Sequence, residues 1–406
     1  MLVLGLEIWY NKSMKENELL TKELKGCFDY FNQEWNSDIS SKGYGLVKDK
    51  AHSDPLMSSI SATGFGLCSM VIGVKRNWID YQKAFDRVNK TLDTFLDMEN
   101  FNGFYYHFVD INTTQRYLKS EVSVIDTAIL IAGMIVCGEF FGGRIKQKAD
   151  NLYKRVNWNW YTDNQKKMYY MCYTKENGFT GYWDWYGEQL MLYVMGVSSP
   201  TYPIECELYE KINKIPKSYN NIKDIYYAYF GALFTYQFSH SFIDFKNLRD
   251  KNGIDWFKNS VKATKANRVF CIKNSKKYLS YNKNSWGLTP CLSPKGYLSF
   301  GASPSHFEPE HDGTITPCGA IGSIVFTPKE SIKAMEYFNS LKNLQGKYGY
   351  KDAFNLDQNW FADDYIGIDK GISMLMIENY LSQTIWQNFH KNQYIKKGID
   401  MLFEKY

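Results

Sequence analysis

The chain has 406 residues, 17% of them aromatic, and a formal net charge of +5. Its Lys and Arg are interspersed with Asp and Glu, with no basic stripe carrying aromatics, which argues against a nucleic-acid surface. Ten prolines and a full apolar complement argue against long disorder.

The first residues, Met1 to Lys12, hold a short apolar run broken by Glu7, with no basic segment before it. No signal peptide is legible, and on that reading the chain is cytoplasmic. Residues 1–13 are expected to be a disordered or non-native start, with Met14 as an alternative initiator. From Met14 to Asn36, Leu20, Leu24, Cys27, Phe28, Phe31 and Trp35 recur at helical steps. A glycine-containing loop over 40–55 follows. Ile60 to Val74 is a small-residue apolar helix in which Gly64 and Gly66 imply close packing. Trp78 to Met98 is amphipathic.

A β-hairpin is expected next, with arms at Gly103–Val109 and Gln115–Leu118. Val122 to Phe140 reads as a buried helix. Its best apolar window, 122–137, contains Asp126 and falls short of the ~20 apolar residues of a membrane span. Ile145 to Val156 is amphipathic. A second hairpin spans Lys167–Tyr182, turning at Glu176-Asn-Gly178. Helices are then expected over Ile225–Phe242, Trp256–Lys273, Cys318–Phe326, Pro328–Leu344 and Ile372–Asn388, with a short tail helix. The stretch Ser275–Pro317 is non-helical, and its Trp286, Tyr297, Phe300 and Phe307 mark an ordered functional loop.

About twelve helices, alternately apolar all round and apolar on one face, predict an all-α fold. The architecture is an α/α six-hairpin toroid, or barrel, with small β-hairpins and long loops at its cleft. One domain over 1–406 is expected. The unit of helix pair, hairpin and buried helix entered by a carboxylate occurs twice, with Asp126 and then Glu188.

The second entrance is the most informative stretch. Trp183, Asp184, Trp185 and Tyr186 precede a glycine, Glu188 and an apolar run to Val197, which Pro200 and Pro203 end. Glu188 is expected in the first turn of that helix, where the dipole tolerates a carboxylate. Aromatic platforms beside it suggest a sugar site. The plain structural alternative is a capping acid among core aromatics. Cleaving a glycosidic bond takes one carboxyl to protonate the leaving oxygen and one to activate water. Asp126, costly at the mouth of an apolar helix unless used, and Glu121 beside it are the partners. His240 and Asp244, four apart on an expected helix, read as structural or substrate-orienting. Glu308, Glu310, His311 and Asp312 form a candidate binding loop. The eight cysteines contain no CxxC pair, so no metal site or cofactor is implied, and Cys68 and Cys137 read as free buried thiols of a reducing compartment.

Eight motifs occur in order along the chain. They are Ser198-Ser-Pro-Thr-Tyr-Pro203, His240-Ser-Phe-Ile-Asp-Phe245, Asn284-Ser-Trp-Gly-Leu-Thr289, Asp312-Gly-Thr-Ile-Thr-Pro317, Phe326-Thr-Pro-Lys-Glu-Ser331, Tyr348-Gly-Tyr-Lys-Asp-Ala-Phe-Asn355, Gly367-Ile-Asp-Lys-Gly371 and Met376-Ile-Glu-Asn379. Together they resemble the glucoamylase-like domain family, which includes the bacterial endo-β-1,2-glucanases of glycoside hydrolase family 144, over about residues 31–389. The resemblance implies the toroid and a glucan site in its cleft. It implies that Glu188 matches an essential acid and that Asp126 falls where those enzymes carry Glu-Thr. The chain departs from them where Lys119 and Ser123 replace two upstream aspartates. The resemblance also implies an extracytoplasmic setting.

The resulting expectation is an inverting hydrolase of a β-1,2-linked glucan, acting as a monomer without membrane or nucleic-acid partners. Glu188 would be the acid, with Asp126 or Glu121 activating water. Trp183, Trp185, Tyr186, Trp286 and Trp360 would hold sugar rings, and His240, His311, Asp312, Asp352 and Asn355 would bind hydroxyls. An exo-acting α-glucosidase of glucoamylase type and a non-catalytic glucan-binding protein are the rival readings.

Overall fold

Helices apolar on every side alternate with helices apolar on one side, and the fold sorts them accordingly. The computed structural model describes the backbone of residues 2–406 and the side chains of residues 14–406. The expected irregular start over 1–13 falls on side chains outside that range. Helix α1 spans Leu2–Gln33, α2 Ile60–Lys75, α3 Tyr81–Asp97, α4 Val124–Phe141, α5 Gly143–Arg155, α6 Leu190–Val197 and α7 Glu207–Lys211. Helix α8 spans Phe238–Phe242, α9 Trp256–Lys273, α10 Pro317–Ile321, α11 Pro328–Ser340, α12 Gly367–Leu381, α13 Thr384–Lys391 and α14 Gln393–Leu402.

Helices α2, α4, α6, α8, α10 and α12 are buried along nearly all of their length, whereas α3, α5, α9 and α11 bury one face. The buried set touches in sequence: α2 against α4, α4 against α6, α6 against α8, α10 against α12, and α12 back against α2. Gln237, at the entrance of α8, donates to the Gly319 carbonyl of α10 at 2.8 Å and to Ser323 at 2.9 Å. The one-sided helices cover this set, with α5 on α4, α11 on α10 and α1 on α12. Lys370 of α12 forms a buried ion pair with Glu23 of α1 at 2.6 Å.

Glycine sets the closest approach. A Cβ on Gly133 of α4 would lie 2.2 Å from the Gly64 carbonyl oxygen of α2, so only glycine lets these two backbones meet. Helix α4 is apolar and long enough to cross a membrane, but 83% of it is buried inside the fold.

The strands are short. Strand β1 (Met57–Ser59) pairs antiparallel with β3 (Phe108–Asp110). Strand β2 (Tyr105–Tyr106) pairs with β4 (Val122–Ser123), which continues to β6 (Met168–Thr174). Strand β5 (Thr162–Asp163) and strand β7 (Gly178–Tyr182) both pair with β6. The β6–β7 hairpin turns at Gly178 with φ +68°, as its Asn-Gly predicts. The hairpin expected over 103–118 is reduced to a single bridge between Val109 and Arg116, because β2 and β3 take partners elsewhere.

Other expectations are corrected. Residues 225–242 are not one helix: Ile222–Tyr226 pairs as a strand with Pro216–Tyr219, and Gly231 turns left-handed (φ +60°) against the Ala302 carbonyl. Helix α10 stops at Ile321 rather than running to Phe326. The last long helix is split by Gln383, which sits at φ +59° between α12 and α13.

Candidate active site

Carboxyl groups gather at the starts of the buried helices, where unpaired backbone N–H groups favour negative charge. Asp126 lies in the first turn of α4. Ser123 caps that helix, accepting from the Asp126 N–H at 3.2 Å and donating to Asp126 Oδ2 at 2.6 Å. His107, between β2 and β3, lies across from it. Its Nδ1 is 3.0 Å from Glu121 Oε1 and its Nε2 is 3.5 Å from Asp126 Oδ1. Burial opposes charge on this ring, but Asp126, Glu121 and Asp49 outweigh it and hold its pKa up at about 9. Burial alone would raise Glu121, yet the His107 hydrogen bond and charge keep it below the usual carboxylate range.

Glu188 has no such support. It precedes α6 rather than sitting in its first turn, because the helix begins at Leu190 behind Gln189. Its backbone carbonyl accepts from Ser239, while among the described residues its carboxyl has no side-chain partner. Burial and then the negative charge of Asp126 push its pKa up to about 7, against the pull of its own backbone N–H. Asp49 links the two sides of the cluster. Burial raises it to about 6, His107 draws it down, and Asp126 and Asp364 push it up.

On the other side, Asp352 is 4% and Asp369 7% exposed. Asp352 accepts from the Leu292 N–H at 2.7 Å. Both carboxyls are held above the ordinary range, by burial first and then, for Asp352, by Asp369. The Tyr297 ring is 48% exposed, yet its hydroxyl is held high by loss of water and by Asp369, Asp352 and Asp49. The aromatic rim lies elsewhere. Tyr229 donates to the Asp184 carboxylate; its ring stacks on Phe307 at 5.8 Å and 12°. Phe307 is 52% exposed. A surface depression of about 440 Å³ near Tyr44, Lys90 and Asp97 shares no residue with this cluster.

The structure thus brings Glu188, Asp126 and Glu121 into one charge-coupled group. It separates most of the expected sugar contacts from it. Trp286 is fully buried, with the backbone of Gly287 pressed against Thr316 and Ala320, so it is a core residue. His240 is 1% exposed, bonded to Ser260 at 3.0 Å and enclosed by Phe245, Phe257 and Phe326. Burial takes its pKa down to about 3. Asp244 lies beyond the end of α8, so the two do not share a helix face. Asn355 is fully buried and holds the Asp312 carbonyl at 3.0 Å.

Trp183 and Trp185 are almost wholly buried, and the Trp185 indole donates to the Tyr227 carbonyl at 2.8 Å. Tyr186 is buried against Trp256, 4.3 Å away. His311 stacks on Phe270 at 4.7 Å, and Asp312 caps the Thr314 N–H. Trp360 is partly exposed in a two-stranded hairpin opposite Asn355. The sequence reading did not assign His107, Asp49 or Asp369 to the site, although they lie in an expected strand, the loop over 40–55 and a motif, and it named Tyr297 and Phe307 only as ordering the loop over 275–317.

His107, Glu121 and Asp126 bring their ligand atoms within 4.8 Å of one another. The group is compact enough for a cation, and its two ring nitrogens each face a carboxylate, at 3.0 Å and 3.5 Å. All eight cysteines are free.

The chain is similar in sequence to an exo β-1,2-glucooligosaccharide sophorohydrolase of Parabacteroides distasonis, at 25% identity over 96% of this chain, and it spans only 58% of that relative's length. Its fold is similar to a "putative glucoamylase" of Bacteroides uniformis, with a TM-score of 0.85 and 28% identity over 96% of this chain and 98% of that one. It is equally similar to an endo-β-1,2-glucanase of Chitinophaga pinensis solved with sophorotriose and glucose, with a TM-score of 0.85 and 26% identity over 96% and 99% of the two chains. The family model described as "Glycoamylase: Putative glucoamylase" matches residues 180–393, more than half of the sequence, and the chain belongs to that family.

Proposed function

We propose that the protein is a glycoside hydrolase acting on β-1,2-linked gluco-oligosaccharides or glucan. The observation that carries this reading is a division of labour among carboxyls. Glu188 keeps a proton near neutral pH, and Glu121 is held ionised beside His107. Two carboxyl environments pushed apart are what acid and base roles require. Glu188 donates its proton to the departing glycosidic oxygen, and Glu121 or Asp126 takes a proton from the attacking water. We favour inversion, in which one carboxyl protonates the leaving oxygen while another activates water on the opposite face of the sugar. The linkage comes from the names of the sophorohydrolase and the endo-β-1,2-glucanase to which the chain is similar.

The six buried helices, each touching the next, are read as the inner ring of an α/α toroid forming one domain, with their starts gathered at the site. Sugar rings are assigned to the exposed faces of Phe307 and Tyr297 rather than to buried tryptophans. Asp352 remains a candidate for binding a hydroxyl from the wall.

The test is product analysis of wild type and Glu188→Gln on linear β-1,2-glucan, maltooligosaccharides and laminarin in parallel. The expected result is cleavage of the β-1,2-glucan and a loss of about 10²-fold or more in the variant. Cleavage of maltooligosaccharides alone would establish the α-glucosidase reading. Binding without turnover, unchanged in the variant, would establish a glucan-binding protein. The anomer first released, followed by NMR, decides inversion.

A further inference from the structure

His107 is held from three elements at once. Its N–H donates to the Glu121 carbonyl at 2.9 Å, and its own carbonyl accepts from Ile60, the first residue of α2, at 3.1 Å. The ring lies on Phe108 with centroids 3.7 Å apart and planes 21° apart. Nothing about this backbone clamp requires a histidine. The side chain does. One ring nitrogen faces Glu121 and the other faces Asp126; a neutral imidazole, with one N–H, would turn a lone pair toward one of these carboxylates, whereas a doubly protonated ring offers a donor to each.

We infer that His107 is a positioning residue for the hydrolysis proposed above: it ties Glu121 and Asp126 into one oriented pair and stands apart from Glu188. The groups facing it are Glu121 from the entrance of β4, Asp126 from α4 and Asp49 from the loop before β1. Arg116 acts on Glu121 and Lys50 on Asp49 from farther out. Without the ring, three carboxylates would repel one another, and they would begin to hold protons at higher pH. The proton acceptor for water would then be lost first on the acidic side. Glu188 would be spared, since burial, its own backbone and Asp126 set its proton affinity.

The experiment compares wild type, His107→Gln and His107→Ala on linear β-1,2-gluco-oligosaccharide from pH 4 to 9. Near pH 6, kcat is expected to fall roughly 10- to 100-fold with KM changed less than about 3-fold. The acidic limb of kcat/KM should climb by about one pH unit, while the alkaline limb stays. A fall in kcat with an unmoved acidic limb would reduce His107 to packing and overturn the inference. Activity lost on chelation and restored by a divalent ion would also overturn it, because the ring would then be a ligand.

A second readout needs no turnover. Ring ¹⁵N shifts of His107 in the intact protein should report a protonated imidazole to at least about pH 8, dropping in Asp126→Asn. A ring already neutral at pH 7 overturns the inference. If wild type cleaves none of the glucans, the hydrolase reading fails by itself, and the ring titration still decides whether His107 holds the pair.

Discussion

The two helix entrances at Asp126 and Glu188 are built alike and behave in opposite ways. Each follows the small sheet and leads into a buried apolar helix, α4 or α6. At the first, a serine cap, a histidine and a second carboxylate surround Asp126. At the second, among the described residues, there is no side-chain cap hydrogen bond and no cation among the charges that act on Glu188, and its pKa rises to about 7. The lesson is that helix position alone does not assign a carboxyl its role. The first faces a histidine and the second, with no side-chain partner among the described residues, has its proton affinity raised by burial, the contrast that the proposed base and acid roles require.

The largest effect that would break this contrast is at Asp126. Asp126→Asn should lower kcat by roughly 10²- to 10⁴-fold if this carboxylate takes the proton from water. It should also remove the negative charge that raises Glu188. The alkaline limb of the pH–rate profile should therefore move to lower pH, since Glu188 would ionise earlier. A variant with full activity and an unmoved alkaline limb would show that the two entrances are not coupled.

The next test concerns stability. Glu188 carries a pKa of about 7 in the folded chain against about 4.3 when solvated. Below the unfolded value both states hold the proton, and Glu188 costs nothing on that account. Between these values the folded chain binds more protons than the unfolded one, so stability falls as pH rises. Above about pH 7 the full penalty is present, on the order of 4 kcal/mol at most. Glu188→Gln should thus gain in relative stability between about pH 4.5 and pH 8. Urea unfolding of both proteins at each pH measures it. A constant difference would mean that Glu188 is an ordinary solvated acid and that the contrast with Asp126 is false.

Sequence pattern reached the helices and both carboxylates because each gives a local signal. An aspartate inside an otherwise apolar run, or a glutamate between aromatics and an apolar run, is costly unless used. His107 gave no such signal. Its partners are 14 and 19 residues away, and they meet it only because β2 pairs with β4. The aromatic contacts failed for a related reason. Trp286 sits in a stretch rich in Gly, Ser and Asn, which reads as exposed loop. That loop folds inward because Gly287, at φ +129°, lets the backbone meet α10. The helix expected over 225–242 was lost to Gly231, whose positive φ is invisible to a periodicity of apolar residues.

The smallest effect tests which aromatics face sugar. Phe307 lies in the loop over 275–317; its own N–H and that of His306 both donate to the Tyr229 carbonyl at 2.8 Å, and Tyr229 in turn holds Asp184, four residues before Glu188. A glucose ring laid on the free face of Phe307 buries apolar surface worth about 0.5–1.5 kcal/mol. Phe307→Ala should therefore raise KM about 2- to 10-fold and leave kcat near wild type, because the contact is the same in ground and transition states. Its melting temperature should barely change, since the ring is half exposed. Trp286→Ala should do the reverse, costing about 3–5 kcal/mol of stability through the cavity left behind with no separate effect on KM in the fraction that folds. If Phe307→Ala left KM untouched while Trp286→Ala raised it in folded protein, the sugar-facing surface would lie deeper in the molecule than Phe307, and the binding face would have to be sought around Tyr297 and the Asp352 wall.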